Sequence, residues 1–149
     1  MDIFYQEALN EARKAYEHKE VPVGCVIVKD GVIIGRGRNE MEGLQDPSAH
    51  AEVAAVREAA GTLGTWRLGG CTMYVTLEPC LMCASLIRKS RISKVVIGAI
   101  EDREGAFGSA VSINDLPPMD SFIQTKWLMD LESEALLKGF FRELRESHD

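Results

Sequence analysis

The chain has 149 residues, of which 46% are hydrophobic and 27% charged, a composition typical of one globular domain and not of a disordered segment. Its net charge of −6 argues against nonspecific nucleic-acid binding over the whole surface, while leaving room for a local basic patch. No apolar run reaches the roughly 20 residues of a membrane span, and the N-terminal residues lack the pattern of a secretory signal. We therefore expect one domain over residues 1–149, no membrane association, and a reducing cytoplasm without disulfides.

The first third of the chain predicts a helix followed by a β-hairpin. Residues 3–18 place Phe4, Ala8, Ala12 and either Ala15 or Tyr16 on one helical face. Residues 23–28 and 32–37 are apolar segments separated by the tight-turn pair Asp30-Gly31, which indicates two antiparallel strands. Residues 39–47 are polar and predict a loop.

The remainder alternates between helical and strand patterns. We expect a helix that begins at Pro47 or Ser48 and ends at Gly61. A strand over 71–77, a helix over 79–88 that begins with Pro79, a strand over 94–99 and a last strand within 121–128 follow. The final helix, over 130–146, is expected to turn five residues inward: Leu131, Ala135, Leu136, Phe140 and Leu144. This order predicts an α/β three-layer sandwich, with a mixed sheet of about five strands and helices on both faces.

The segment of residues 77–83, LEPCLMC, holds a pair of cysteines with the spacing of a metal or redox site. On a helix, Cys80 and Cys83 would share one face, in the first turn, where free N–H groups and the helix dipole favour thiolates. His50 lies at the start of another predicted helix, whose end could point to the same place. One histidine and two thiolates are ligands suited to Zn²⁺.

The number of ligands in this group decides what kind of zinc site it predicts. Structural zinc sites normally have four protein ligands, whereas three leave a position for water, as in catalytic sites. Glu52 follows His50 by two residues and could act on that water as a general acid and base. The pattern H-x-E followed by P-C-x-x-C is the signature of zinc nucleobase deaminases.

Other interpretations of these residues remain open at this point. Cys80 and Cys83 could form a redox pair, or could complete a structural zinc site with Cys71 or Cys25 as the fourth ligand. Both of those cysteines fall in apolar predicted strands, where a buried thiol is the expected role. Glu78 is interpreted as a carboxylate that caps the following helix.

The chain resembles the cytidine/deoxycytidylate-type zinc deaminases, and among them the bacterial tRNA-specific adenosine deaminases. The resemblance spans about residues 5–146, in segments that include EVPVGCVIV, DPSAHAEVAAVREA, GTWRL, TMYVTLEPCLMCA and GFFREL. It implies deamination of adenosine to inosine at the wobble position of tRNA, with the anticodon loop as substrate. It also implies a homodimer with a pocket rimmed by both subunits.

The resemblance assigns roles to residues whose type matches the family motifs. Zinc would be held, one ion per chain with water as the fourth ligand, by His50, Cys80 and Cys83. Glu52 would move protons between the water, the ring nitrogen N1 and the leaving ammonia. The base would be contacted by Asn39, the Ala51 backbone and Val23.

Two further positions bear on the substrate. Glu101 and Arg103 occupy the stretch that lines the RNA groove in tRNA deaminases, which typically carry Asp at the position of Glu101. A deaminase of free nucleobases or nucleosides, such as guanine, cytosine or a modified purine, is the alternative with the same chemistry. A deaminase fold serving only as a partner subunit is disfavoured, because Glu52 and all three ligands are intact.

Overall fold

A five-stranded mixed sheet forms the centre of the computed structural model, which describes residues 2–147. The helices are α1 (Ile3–Glu17), α2 (Met41–Leu44), α3 (Ala51–Leu63), α4 (Leu81–Lys89) and α5 (Leu131–Ser147). The strands are β1 (Gly24–Lys29), β2 (Val32–Arg38), β3 (Thr72–Leu77), β4 (Lys94–Ala99) and β5 (Gln124–Trp127).

The strands lie in the order β2-β1-β3-β4-β5. β1 runs antiparallel to both β2 and β3, whereas β3, β4 and β5 are parallel. α1 packs on β1 and contacts α5, while α3 packs on β2 and contacts α4. The predicted three-layer sandwich with a mixed sheet is therefore confirmed.

The main core fills the space between the sheet and the α3/α4 layer. It includes Ile27, Met73, Ile87 and Ile97, all fully buried. A smaller cluster beneath α1 contains Ala8, Val26 and Val28. The site described below lies where the first turns of α3 and α4 rise from this core.

Glycines of the β1–β2 hairpin allow helix backbones to lie directly on the strands. A Cβ at Gly24 would collide with the Ala8 carbonyl of α1, and a Cβ at Gly37 would collide with the Ala51 carbonyl of α3. The hairpin turn itself has positive φ angles at Asp30 and Gly31, which the sequence pair predicts.

The structure corrects the predicted bounds of α3. This helix begins at Ala51, because the Asp46 carboxylate accepts hydrogen bonds from the Ser48 N–H and hydroxyl and holds the preceding residues in a turn. It continues through Gly61 and ends at Leu63, followed by the C-cap residue Gly64, whose φ of 70° is the left-handed conformation typical of a helix C-terminus.

Two other local predictions are also wrong. Pro79 precedes α4 instead of opening it, and Cys80 is the N-cap residue. The predicted polar loop over 39–47 contains α2, because the Glu20 carboxylate accepts hydrogen bonds from the N–H groups of Glu42 and Gly43.

The predicted inward face of α5 is wrong for most of its residues. Leu131 is 78% exposed and Leu144 is 42% exposed, and Ala135 is exposed as well. Leu136 and Phe140 are half-buried, with the Phe140 ring against Tyr16. Because α5 packs at the edge of the α1 layer, one chain covers only part of its apolar stripe.

None of the helices within residues 2–147 combines the length and the apolar character that a bilayer crossing requires.

Candidate active site

The first turns of α3 and α4 bring the three predicted metal ligands together. Nδ1 of His50 lies 3.4 Å from Sγ of Cys83 and 3.7 Å from Sγ of Cys80. His50 is the N-cap of α3, Cys80 is the N-cap of α4, and Cys83 follows one turn later. Their possible ligand atoms all lie within 4.8 Å of one another.

This spacing fits a tetrahedral zinc ion. With Zn–S and Zn–N bonds of about 2.3 and 2.05 Å, tetrahedral angles place sulfur and nitrogen roughly 3.6 Å apart. The observed separations of 3.4 and 3.7 Å bracket that value. Among the residues that the structure describes, this metal-binding group has three members, so a fourth coordination position is left for water.

Of the two cysteines, Cys80 has the titration that favours metal binding. A hydrogen bond from the Cys83 thiol, together with His50, lowers the pKa of Cys80 to about 4, against the effect of burial. The pKa of Cys83 is raised, because its thiol donates a hydrogen bond to Cys80 and is buried. A thiolate is therefore available at neutral pH, and it is the form that ligates metal.

Glu52 lies in the first turn of α3, almost fully buried beside the ligands. Burial raises the pKa of Glu52 to about 7, while the charge of His50 acts in the opposite direction. A carboxyl group with a pKa near neutrality can both accept and return a proton, which is the property that a general acid and base requires.

A cavity of about 380 Å³ opens over these residues. Its walls contain all but two of the residues predicted for the site, namely Val23, Asn39, His50, Ala51, Glu52, Cys80 and Glu101. Cys83 lies fully buried beneath the other ligands. The structure thus gathers the predicted ligands, proton carrier and base contacts around one space large enough for a nucleobase.

Asn39 and Ala51 offer complementary groups to a bound base. The Asn39 side chain accepts a hydrogen bond from the Met41 N–H through Oδ1, at 3.4 Å, which leaves Nδ2 to donate into the cavity. Ala51 is the first residue of α3, where a backbone N–H has no partner within the helix.

Arg103 does not line this cavity. It lines an adjoining cleft of about 570 Å³ between the segment after β4 and the start of α5, together with Lys138. The two spaces share four lining residues: Val21, Leu77, Glu101 and Phe141. The cavity therefore continues into a groove of mixed charge. Arg103 and Lys138 line it together with the carboxylates of Glu101, Asp102, Asp130 and Glu134, and Lys138 pairs with Glu134 at 2.7 Å.

Glu78 has a different role from the predicted helix cap. It lines the cavity, and its carboxylate accepts hydrogen bonds from the backbone N–H groups of Glu101, Phe107 and Ser109. The partners lie 23 to 31 residues away in sequence, so no local spacing could have indicated them. Glu104, a second cavity residue, was also missed and had no signal in the sequence.

Much of the positive charge near Asn39 is neutralised by α1. Arg36 and Arg38 both donate to the buried carboxylate of Glu11, at 3.0 and 3.3 Å. They lie on the α1 face of the hairpin, opposite the face that carries α3. These arginines therefore stabilise the fold and are not available as a substrate patch.

Cys25 and Cys71 are both buried thiols outside the metal-binding group. Burial raises the pKa of the Cys25 thiol well above its ordinary value, as does the nearby charge of Glu52. Neither cysteine supplies a fourth ligand in the described structure, so the cluster has the open form of a catalytic site.

Comparison with known proteins gives a consistent result. Residues 2–99 match the model of the cytidine and deoxycytidylate deaminase zinc-binding region. The tRNA-specific adenosine deaminase of Aquifex aeolicus is 42% identical over 146 residues, which cover 98% of this chain and 97% of that protein.

Solved structures show the same relationship. A structure from work on A-to-I editing by tRNA:A34 deaminases superposes with a TM-score of 0.80 and 42% identity, over 84% of this chain and 96% of the other. Guanine deaminase from Bacillus subtilis gives a TM-score of 0.63 and 30% identity, over 80% and 92% of the two chains. These matches agree with the ligand cluster and Glu52 found in one cavity. The chain therefore belongs to the cytidine and deoxycytidylate deaminase family of zinc-dependent hydrolytic enzymes.

Proposed function

We propose that this enzyme converts adenosine to inosine at the wobble position of a tRNA anticodon loop. The observation that carries the proposal is that a complete site, with three ligands and Glu52, lies in a chain 42% identical to a tRNA-specific adenosine deaminase over 98% of its length. The groove that extends from the cavity past Arg103 gives room for nucleotides on either side of the reacting base.

His50, Cys80 and Cys83 would hold the zinc ion, which when bound acts as a Lewis acid and lowers the pKa of a water molecule toward about 7. Glu52 would take a proton from the attacking water and deliver one to N1 of the adenine ring as the water oxygen adds to C6. Glu52 would then move the proton of the new C6 hydroxyl group to the amino group, so that the C6–N bond breaks, the C6 carbonyl forms and ammonia leaves. Adenosine and water are thereby converted to inosine and ammonia.

Three other residues would hold the base in place. The Nδ2 group of Asn39 donates to one edge of the base, and the Ala51 backbone contacts the other, while Val23 forms an apolar wall. The target base must leave its stack to enter a cavity of this size, and that costs least in a single-stranded loop.

The same site suits a free nucleobase deaminase, and the similarity to a guanine deaminase favours this as the second candidate. Glu101 and Glu104 line the cavity as acceptors for exocyclic amino groups. The two candidates differ in whether an anionic backbone is held outside the cavity.

We propose that the enzyme works as a cytoplasmic homodimer of this one domain. Leu81 and Met82, next to Cys80 in sequence, are each 44% exposed, and a second copy would cover them. All four cysteines are free, as expected in a reducing compartment. Sedimentation analysis would test the dimer: a monomer at micromolar concentration would contradict it.

A paired assay tests the substrate. The zinc-loaded enzyme is given either an anticodon stem-loop with adenosine at the wobble position or a set of free nucleosides and bases. Inosine is measured by mass spectrometry and ammonia by a coupled assay. Inosine formation in the stem-loop alone supports the proposal, whereas ammonia release from guanine or a nucleoside, with none from RNA, would favour the second candidate.

A further inference from the structure

Glu78 is a buried carboxylate that no step of the proposed reaction uses. It is 2% exposed, and such groups are rarely buried without partners. Its Oε2 accepts hydrogen bonds from the N–H groups of Phe107 at 2.9 Å and Ser109 at 3.2 Å. Its Oε1 accepts from the Glu101 N–H at 3.2 Å and from the Ser109 hydroxyl.

All of these donors belong to residues 101–109, which we call the rim segment. The rim segment contains turns and isolated bridges and no helix or strand of its own. Beyond Glu78, it is attached to the residues before α4 by a bond from the Ala106 N–H to the Pro79 carbonyl at 2.8 Å and by a bridge between Gly105 and Cys80. Residues 78–80 therefore hold an irregular segment beside a metal ligand.

The rim segment forms one wall of the catalytic cavity through Glu101 and Glu104. Four hydrogen bonds to one carboxylate add to the few backbone hydrogen bonds of this wall, such as that from the Gly105 N–H to the Glu101 carbonyl at 3.0 Å, and tie it to the residue before Pro79. Hydrogen bonds to a charged acceptor are about twice as strong as neutral ones, and a preformed wall spares the substrate the cost of ordering it.

The fit between Glu78 and the rim segment is close. A Cβ at Gly105 would collide with the Glu78 carboxyl group and with the Glu101 carbonyl. The contact therefore requires glycine at position 105 as well as a carboxylate at position 78, which gives two independent ways to disturb it.

We propose that Glu78 is a positioning residue that holds the rim segment in its substrate-binding form. The inference rests on the proposed function, because it takes the cavity as the place where the base binds. If only a fraction of the molecules has the rim segment in its substrate-binding form, the apparent affinity for substrate is the intrinsic affinity multiplied by that fraction. The loss is then expected in KM and not in the chemical step, since Glu52 and the zinc ligands remain in place.

The test compares Glu78→Gln with Glu104→Gln as a matched control. Either rotamer of glutamine turns an NH2 group toward two of the four donors, so at least one backbone N–H of the rim segment loses its acceptor. The bond from the Ala106 N–H to the Pro79 carbonyl remains, so the rim segment is loosened and not released. Glu104→Gln removes the same charge from the same cavity, but Glu104 is exposed and is not among the partners of Glu78. Zinc content, amide hydrogen exchange of a peptide covering the rim segment, and steady-state kinetics on the stem-loop are measured for each.

For Glu78→Gln we expect one zinc per chain, exchange of the rim segment at least about tenfold faster, and a KM raised about tenfold with kcat within about threefold of wild type. Glu104→Gln should leave exchange unchanged. Because Glu104 also lines the cavity, its KM reports only what the loss of a cavity charge does by itself. Ser109→Ala, which removes one of the four hydrogen bonds, should give a smaller increase in exchange, and Gly105→Ala should reproduce the pattern of Glu78→Gln. The last two variants decide the question if Glu78→Gln does not fold.

Unchanged exchange in a folded Glu78→Gln protein would overturn the proposal. So would loss of zinc at native fold, which would make Glu78 a support for the metal site, or a fall in kcat at constant KM. A wild-type enzyme that leaves the stem-loop unchanged would refute the proposed function, while the exchange comparison would still report whether Glu78 holds the rim segment.

Discussion

Nδ1 of His50 lies 3.4 Å from Sγ of Cys83, although 33 residues separate them in the chain. The two side chains belong to different helices, and they meet because the first turns of α3 and α4 reach the same place. The metal site is therefore a product of helix packing, and only the Cys80–Cys83 part of it is local.

Glu52→Ala should leave zinc bound and lower turnover by about 10²- to 10⁴-fold or more, since it removes the only group assigned to proton transfer. Metal analysis and single-turnover deamination measure the two quantities. Glu58→Ala, an exposed position on the same helix, is the control and should keep full activity. Substantial activity in Glu52→Ala would show that another group carries the proton.

Cys83→Ser should release zinc, whereas Cys71→Ser should retain it. Cys83 is within the three-membered group of possible ligands, and Cys71 is a buried thiol outside it. Zinc per chain after gel filtration, measured by plasma mass spectrometry, distinguishes the two variants. Metal loss from Cys71→Ser would mean that the site is closed and structural.

Arg103→Gln should weaken RNA binding and reduce the slope of log K against log salt concentration by about 1, because one phosphate contact is lost. Arg103 lines the groove next to the cavity. Arg67→Gln is the control. Arg67 stacks on Trp66 just beyond the C-terminal end of α3, whereas His50 lies at the other end of this helix, which is about 20 Å long. Equal slopes for wild type and Arg103→Gln would remove Arg103 from the RNA-binding surface.

The stability of the fold should fall in acid through Glu11. Burial by itself raises the pKa of Glu11, but hydrogen bonds from Arg36 and Lys14 outweigh it and lower the pKa below its ordinary value of 4.5. Because the folded state prefers the ionised form, its contribution is present above about pH 4.5 and is lost as the pH falls through the lower, folded-state pKa.

Urea unfolding of wild type and Glu11→Gln over roughly pH 3 to 7 checks this expectation. The variant should be less stable near neutrality, and the difference should shrink in acid. An exposed Glu58→Gln variant should follow wild type throughout. A difference between wild type and Glu11→Gln that stays constant with pH would show that Glu11 acts through packing and not through its charge.

The sequence predicted the chemistry of the site well because its signals are local. The spacing of Cys80 and Cys83, and of His50 and Glu52, places each pair within one helical turn, whatever the exact bounds of α3 and α4. The prediction therefore survived errors of several residues in the start of α3.

What the sequence did not predict depends on contacts between distant residues. Arg36 and Arg38 lie next to Asn39 in the sequence, and no local pattern indicates that α1 brings the Glu11 carboxylate against them. Helical spacing in α5 identifies an apolar stripe but cannot tell how much of it a neighbouring element covers. The partners of Glu78 in the rim segment are invisible for the same reason.

Glycines of the hairpin are in close contact with both helix layers of the molecule. The α1 backbone packs on Gly24 at one face of the hairpin, and the first turn of α3 packs on Gly37 at the other face. The hairpin strands lie between the two helices. A bulkier residue beneath α1 would displace the hairpin strands, and that displacement would reach the first turn of α3, next to His50, through a single layer of sheet. The close packing of Ala8 and Ala12 on Gly24 is therefore expected to influence the geometry of the metal site, although these residues belong to the opposite layer.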